Sequence, residues 1–475
     1  MAQIQGSNWI NGTHSTPASD SVKISSIEIF DPATGDLVGH FQTSDSAEVA
    51  RAVKAAQSAQ SGWWELGAER RTELLNQVAR NLRNSSQFLA EIESREMGKP
   101  IIMAQTDIQG SAEVIESQIS GAIEFFAESS TKTGRLVRKP YGVAALITPW
   151  NYPVCQVTDV VGALLVAGNT VVVKPSEKAP LSVAALSEVF DCLPPGVFNI
   201  VLGNGATGSA LIENPDVDLV HFTGSVETGR KVGAIAGARL IPCFLELGGK
   251  DALVVDDDID IKWAAEIAVH GSLFNTGQVC TSVERIYVHK NIAEPFISEL
   301  VTQASSWTIG PGNDPSNQLG PLIDGSQRDL VHEHVIEAKL KGAQVLIGGE
   351  PISGPGFFYP PTVVVNPPED CRLMKEETFG PVITVCTVDS FEEGLNRANS
   401  TSFGLSASAL TANPQHIAAA SRLSAGMVTI NGGGDGPDDP PFEPKRLSGS
   451  GRLFFGPRAL EVYTTAYAVN IGEAK

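Results

Sequence analysis

The stretch GVAALITPWNYPVCQVTDVVGALLVAGNTVVVKPSE, residues 142–177, holds two short apolar runs, Val143 to Ile147 and Thr170 to Lys174, on either side of a longer apolar segment. Short runs rich in β-branched residues and bounded by turn residues read as strands, and the segment between them is long enough for a helix. Phe198 to Leu202 and Leu219 to Phe222 repeat the pattern, each followed by a turn and a helical stretch. Strands alternating with helices imply an α/β fold with a parallel, doubly wound sheet, which binds ligands beyond the carboxyl ends of its strands.

Working outward, a second alternating series follows, with Asp251 to Val255, Arg285 to His289, Gln344 to Ile347 and Pro381 to Val388 as strands. That predicts a second α/β domain and a cleft between the two. Upstream, short strands precede helices. Asp45-Ser46-Ala47-Glu48 reads as a capping box opening a helix through Gln60, and Arg70 to Ile92 has apolar residues at helical spacing. A chain of 475 residues is too long for one hydrophobic core, in keeping with several units.

Lys and Arg total 34 against 54 Asp and Glu, a net charge of −20, which disfavours a nucleic-acid partner. The apolar stretch Val160 to Val173 is interrupted by Gly162, Gly168 and Asn169 and is too short for a bilayer, and no secretory signal is visible, so a cytoplasmic protein without membrane contact is expected. Cys155, Cys192, Cys243, Cys280, Cys371 and Cys386 are scattered, without a C-x-x-C pattern or a disulfide framework. In His332-Glu333-His334 the two imidazoles fall on different faces of a predicted helix, so no metal is expected there.

Several motifs carry chemistry, each with a plainer reading beside it. Gly203-Asn204-Gly205-Ala206-Thr207-Gly208 fits G-x-G-x-x-G between strand and helix, as a dinucleotide turn or simply a tight turn. Lys174 and Glu177 close a strand where a ribose diol would sit, or are a solvated strand end. Ser225 opens a helix, as a pyrophosphate site or a cap. Glu246 precedes two glycines, and Cys280 follows a helical stretch from Ile261 to Phe274. A cysteine near backbone N–H groups and a base is reactive, whereas a lone cysteine is more often a buried inert thiol.

Taken together, Thr148-Pro149-Trp150-Asn151-Tyr152-Pro153, Lys174-Pro-Ser-Glu177, Phe222-Thr-Gly-Ser225, Glu246-Leu-Gly-Gly-Lys250, Gly277-Gln-Val-Cys280, Glu377-Thr-Phe379-Gly-Pro and Ser448-Gly-Ser-Gly-Arg452 resemble the aldehyde dehydrogenase superfamily over nearly the whole chain. Each motif is modest alone; seven in the family's order are specific. The resemblance implies a Rossmann-like NAD-binding domain (residues 1–121 and 141–247), an α/β catalytic domain (248–447) and a small β bridging element (122–140 and 457–475) that builds homodimers or homotetramers.

By the same resemblance, Cys280 attacks the aldehyde carbon, Asn151 and the Cys280 N–H hold the oxyanion, and Glu246 activates the water that hydrolyses the thioester. Relatives that acylate coenzyme A lack this glutamate, so a free carboxylic acid is the expected product. Lys174 and Glu177 would hold the adenosine ribose, Ser225 the pyrophosphate, and Gly205, Gly208 and Trp150 the adenosine end. Glu377 would hold the nicotinamide ribose, with Phe379 and Leu247 close by. The acidic Glu177 favours NAD over NADP, with NADP a second acceptor.

Substrate signals are mainly negative. Tyr152, Asp159, Val279 and Thr281 are the expected pocket residues. Succinate-semialdehyde dehydrogenases place an Arg where Asp159 aligns, so anionic semialdehydes are disfavoured. The aromatic cage of betaine-aldehyde dehydrogenases is incomplete, with Val279 before the cysteine and no aromatic in the Asn431 to Pro441 loop. An uncharged aliphatic or aromatic aldehyde is expected, with an amino-aldehyde as the alternative. Two departures from the family stand near the substrate entrance: Glu443-Pro444 replaces a glycine pair, and Leu453 replaces a glutamate. Competing functions are a cofactor-free cysteine esterase and a nucleotide-binding protein without catalysis.

Overall fold

The computed structural model describes residues 3–16, 25–127, 129–131, 134–432, 441–454 and 456–472. The two apolar runs of the opening stretch are the strands Val143–Thr148 and Thr170–Pro175, with every residue buried. They pair in parallel, Val143 opposite Thr170 through Thr148 opposite Pro175. Between them runs the helix Pro153–Val166, whose proline sits in the first turn, where its missing N–H costs nothing.

These strands centre an eight-stranded sheet. From Val143–Thr148 the chain builds outward to Thr170–Pro175 and Phe198–Ile200 on one side, then returns to add Leu219–Thr223 and Cys243–Glu246 on the other. The order therefore reverses between Val143–Thr148 and Leu219–Thr223. That switch point is where a doubly wound sheet opens a crevice for a ligand. The antiparallel edges come from distant sequence, Asn8–Ile10 with Thr13–Ser15 at one end and Gly449–Ser450 at the other.

The second series forms a seven-stranded sheet in which Asp251–Val255, Val283–His289 and Val382–Val388 are adjacent and parallel. Its edge strand Gln344–Ile347 runs antiparallel. A third sheet pairs Thr464–Asn470 with Gly134–Pro140 and Ser129–Thr131, joining the two segments of the predicted bridging element.

Asp45 caps the helix Ser46–Glu65, accepting from the N–H groups of Ala47 and Glu48 at 3.0 Å. Only half of the predicted capping box forms, because the Glu48 carboxylate turns to Arg51 and Asn8. The helix also continues past Gln60, since Trp63 is buried and donates its indole N–H to the Leu165 carbonyl at 2.8 Å. The next helix, Gly67–Met97, likewise outruns its predicted limits and stops at Gly98, whose φ of +86° is left-handed.

Candidate active site

At the switch point a cavity of about 470 Å³ is lined by Trp150, Lys174, Glu177, Gly205, Gly208 and Ser225, among others. The glycines of the G-x-G-x-x-G turn serve different ends. A Cβ on Gly203 would meet Thr207 Oγ1 at 2.0 Å, so the first is required by the turn. One on Gly205 would meet nothing within 4 Å, and one on Gly208 only side-chain atoms at 3.8 Å. Packing does not demand these two; they leave the backbone open to the cavity. Lys174 is buried, its Nζ lies 3.3 Å from Glu177 Oε2, and burial lowers its pKa although Glu177 opposes the shift. Ser225 caps the helix Val226–Arg239 through the Thr228 N–H, so capped start and candidate phosphate site coincide.

A second cavity of about 270 Å³ shares Trp150, Thr223, Gly224 and Ser225 with the first and contains Cys280, Asn151, Leu247, Glu377 and Phe379. The approach to Cys280 is an unusual backbone. Asn275, Thr276 and Gly277 are all left-handed, with φ of 48°, 59° and 69°. A Cβ at Gly277 would fall 2.1 Å from the Gly380 carbonyl oxygen, so only glycine fits. Such strain persists where surrounding bonds enforce it. Here Asn275 Nδ2 donates to the carbonyls of Asn151, at 3.1 Å, and Gln278, at 3.3 Å. Asn151 Nδ2 donates to the Gln278 carbonyl at 2.9 Å, which leaves its second amide hydrogen for a ligand.

Electrostatically the site is acidic. Burial pushes the Cys280 thiol well up, and the carboxylates of Glu246, Glu377 and Asp251 add to the effect. The thiol is therefore protonated at neutral pH and needs a base. Glu246 ends the strand Cys243–Glu246, in register with Thr223; Thr223 lines both cavities, whereas Glu246 lies behind their lining. Burial, helped by Asp159, raises its carboxyl to about 8, within the range of a general base.

Glu377 accepts from the Gly249 N–H at 2.9 Å, and a Cβ on Gly248 would meet its carboxylate at 2.4 Å. Phe379, at φ +55°, sets its ring edge-on to Trp150 with centroids 5.5 Å apart. Glu284, absent from the sequence-based expectations, organises this segment. It accepts from the Thr378 and Phe379 N–H groups and pairs with Lys250. Gln327 closes the other side, donating to the carbonyls of Thr378 and Phe379 at 3.0 Å. No short motif carries these contacts, which join residues far apart in sequence.

On the substrate side Val279 and Thr281 flank Cys280 and are half-buried. Tyr152 is covered on one ring face by Lys99, whose Nζ lies 3.6 Å from the ring centroid. Gln156, also unanticipated, lines the cavity with Cys280. Of the Asn431 to Pro441 loop, residues 433–440 lie outside the described residues. Glu443 binds Arg452 at 2.9 Å, and Leu453 is buried opposite Phe442, so both departures are absorbed locally. His332 and His334 go separate ways on one helix, towards Tyr359 and Thr378.

The sequence profile of the aldehyde dehydrogenase family matches residues 19–469. The chain belongs to the aldehyde dehydrogenase family. Among solved structures, an NAD-dependent aldehyde dehydrogenase from Sinorhizobium meliloti is 31% identical, with TM-score 0.94 over 100% of this chain and 96% of that one. Lactaldehyde dehydrogenase from Escherichia coli is 31% identical, with TM-score 0.93 over 99% and 100%. An NADP-dependent enzyme from E. coli is 32% identical, with TM-score 0.94 over 99% and 98%. As an aldehyde dehydrogenase the chain is an oxidoreductase, and its fold is the Rossmann-like plus catalytic α/β architecture of these relatives.

Proposed function

We propose that this aldehyde dehydrogenase oxidises a non-anionic aldehyde to the free carboxylic acid, with NAD as its preferred acceptor. The observation that carries the reading is the placing of Cys280 and the Asn151 amide in one cavity whose wall of Trp150, Thr223, Gly224 and Ser225 is shared with the cavity at Lys174 and Glu177. The open backbone at Gly205 and Gly208 and the capped helix start at Ser225 fit a dinucleotide. NAD(P), when bound, supplies the hydride acceptor.

The chain's own residues do the rest. The Cys280 thiol passes its proton towards Glu246 and adds to the aldehyde carbon. Asn151 Nδ2 and the Cys280 N–H donate to the oxygen as it gains charge. After oxidation, Cys280 carries a thioester, and Glu246 gives the thiol's proton up to solvent before the second half of the cycle. Glu246 takes a proton from water, the resulting hydroxide attacks the acyl carbon, and the acid departs as the thiolate is restored. The test is stoichiometry: one carboxylic acid per NADH without coenzyme A. A requirement for coenzyme A would overturn the reading.

The acceptor preference rests on Glu177, whose charge opposes a 2′-phosphate beside Lys174. Glu177→Gln is expected to raise kcat/KM for NADP relative to NAD by about tenfold, the size of a partly screened charge contact. An unchanged ratio would place the discrimination elsewhere.

Residues 1–121 with 141–247, 248–447, and 122–140 with 457–475 remain the proposed domains, supported by the strands each sheet gathers. A homodimer or homotetramer is proposed from the third sheet, where Leu136 and Tyr467 are exposed. Among the described residues no helix is long and apolar enough to cross a membrane.

A further inference from the structure

The helix Pro153–Val166 is almost wholly buried, with Gln156 and Asp159 its two residues that keep access to solvent. Three apart, they share one face, with Asp159 about 4.5 Å further along the axis. Gln156 lines the cavity that holds Cys280 and Asn151. Gln156 thus meets the cavity, and helical geometry sets Asp159 just beyond it on the same face.

Asp159 has no neutralising partner among the described residues. The nearby cation is Lys99, buried and already committed: its Nζ lies 2.8 Å from Glu93, 3.1 Å from Asp107 and 3.6 Å from the Tyr152 ring centroid. Its charge is thus shared between two ion pairs and an aromatic face. Gln118 donates to the backbone carbonyl of Asp159, leaving the carboxylate unbonded. One cation thus faces Glu93, Asp107 and Asp159, with Glu246 beyond. An excess of buried and half-buried carboxylates either takes up protons or receives a cation.

We propose that the substrate is an amino-aldehyde whose protonated amine, a few carbons from the carbonyl, pairs with Asp159, while Gln156 lines the path to Cys280. This rests on the aldehyde-oxidation reading and deepens it. Burial and the Asp107 carboxylate raise Asp159 to about 7, and Asp159 in turn raises Glu246, so a bound ammonium would favour the anionic form of both. The same ammonium would help keep the base ready.

The test compares 3-aminopropanal with butanal, its uncharged isostere, and with 4-oxobutanoate, in the native protein and in Asp159→Asn. The native enzyme is expected to favour 3-aminopropanal over butanal at least tenfold in kcat/KM, with 4-oxobutanoate poorest. In Asp159→Asn that ratio falls at least tenfold, chiefly through KM for the amine. Butanal turned over as well as the amine by the native enzyme would overturn the proposal and leave aldehyde oxidation standing, and needs no variant to fold. A preference that survives Asp159→Asn would also overturn it. NADH from none of the three would count against the underlying reaction itself.

Discussion

Replacing Cys280 by alanine is expected to cut aldehyde oxidation roughly 10³- to 10⁶-fold, the scale of losing a covalent nucleophile, while NAD still binds. The expectation follows from how the chain positions that sulfur. Three successive left-handed residues, the last of them a glycine pressed against the Gly380 carbonyl, bring the backbone to Cys280, and Asn275 and Asn151 tie the turn down. That strained turn delivers the thiol to a cavity it shares with the Asn151 amide. The adenosine end, at Lys174 and Glu177, lines the other cavity, so cofactor titration by fluorescence should give nearly the native Kd. Residual turnover within tenfold of native would mean that another group attacks the aldehyde.

Glu246→Gln separates the two halves of the cycle. The variant keeps the shape of the carboxyl and removes its basicity, so steady-state turnover should fall roughly 10²- to 10⁴-fold, the range for a positioned general base. Oxidation precedes hydrolysis, so a slowed first turnover should still release one NADH per active site before the rate collapses. The pH dependence has a definite sign. A base works as its anion, and Glu246 titrates near 8, so native activity should rise with pH and level off above that value. Glu377 titrates in the same region, pushed up by burial and by Glu284, and the Glu246→Gln profile tells the two apart. Loss of the rising limb assigns it to Glu246.

Much of this arrangement was legible in the sequence, for a physical reason. Strands buried on both faces must be apolar throughout, so Val143–Thr148 and Thr170–Pro175 stood out, and turn residues marked their ends. The seven motifs placed Cys280, Asn151, Leu247, Glu377 and Phe379, which the fold gathers around one cavity. What escaped reading depends on contacts between distant segments. Glu284 holds the 377–379 segment across 94 residues, and Gln327 grips the same segment from 51 residues away. The edge strand Gly449–Ser450 is too short to announce itself and exists because Cys243–Glu246 offers it a partner. Gln156 is a polar residue in a mainly apolar helix, and only the fold shows that its face meets the cavity.

The central claim is that Cys280 carries the acyl group and Glu246 releases it. The most direct measurement is mass spectrometry of Glu246→Gln, quenched with acid after mixing with aldehyde and NAD. The account predicts one acyl adduct per chain, mapped to the peptide containing Cys280 and absent from the Cys280→Ala, Glu246→Gln double variant. An adduct on any other residue, or NADH release with no adduct at any quench time, would contradict it.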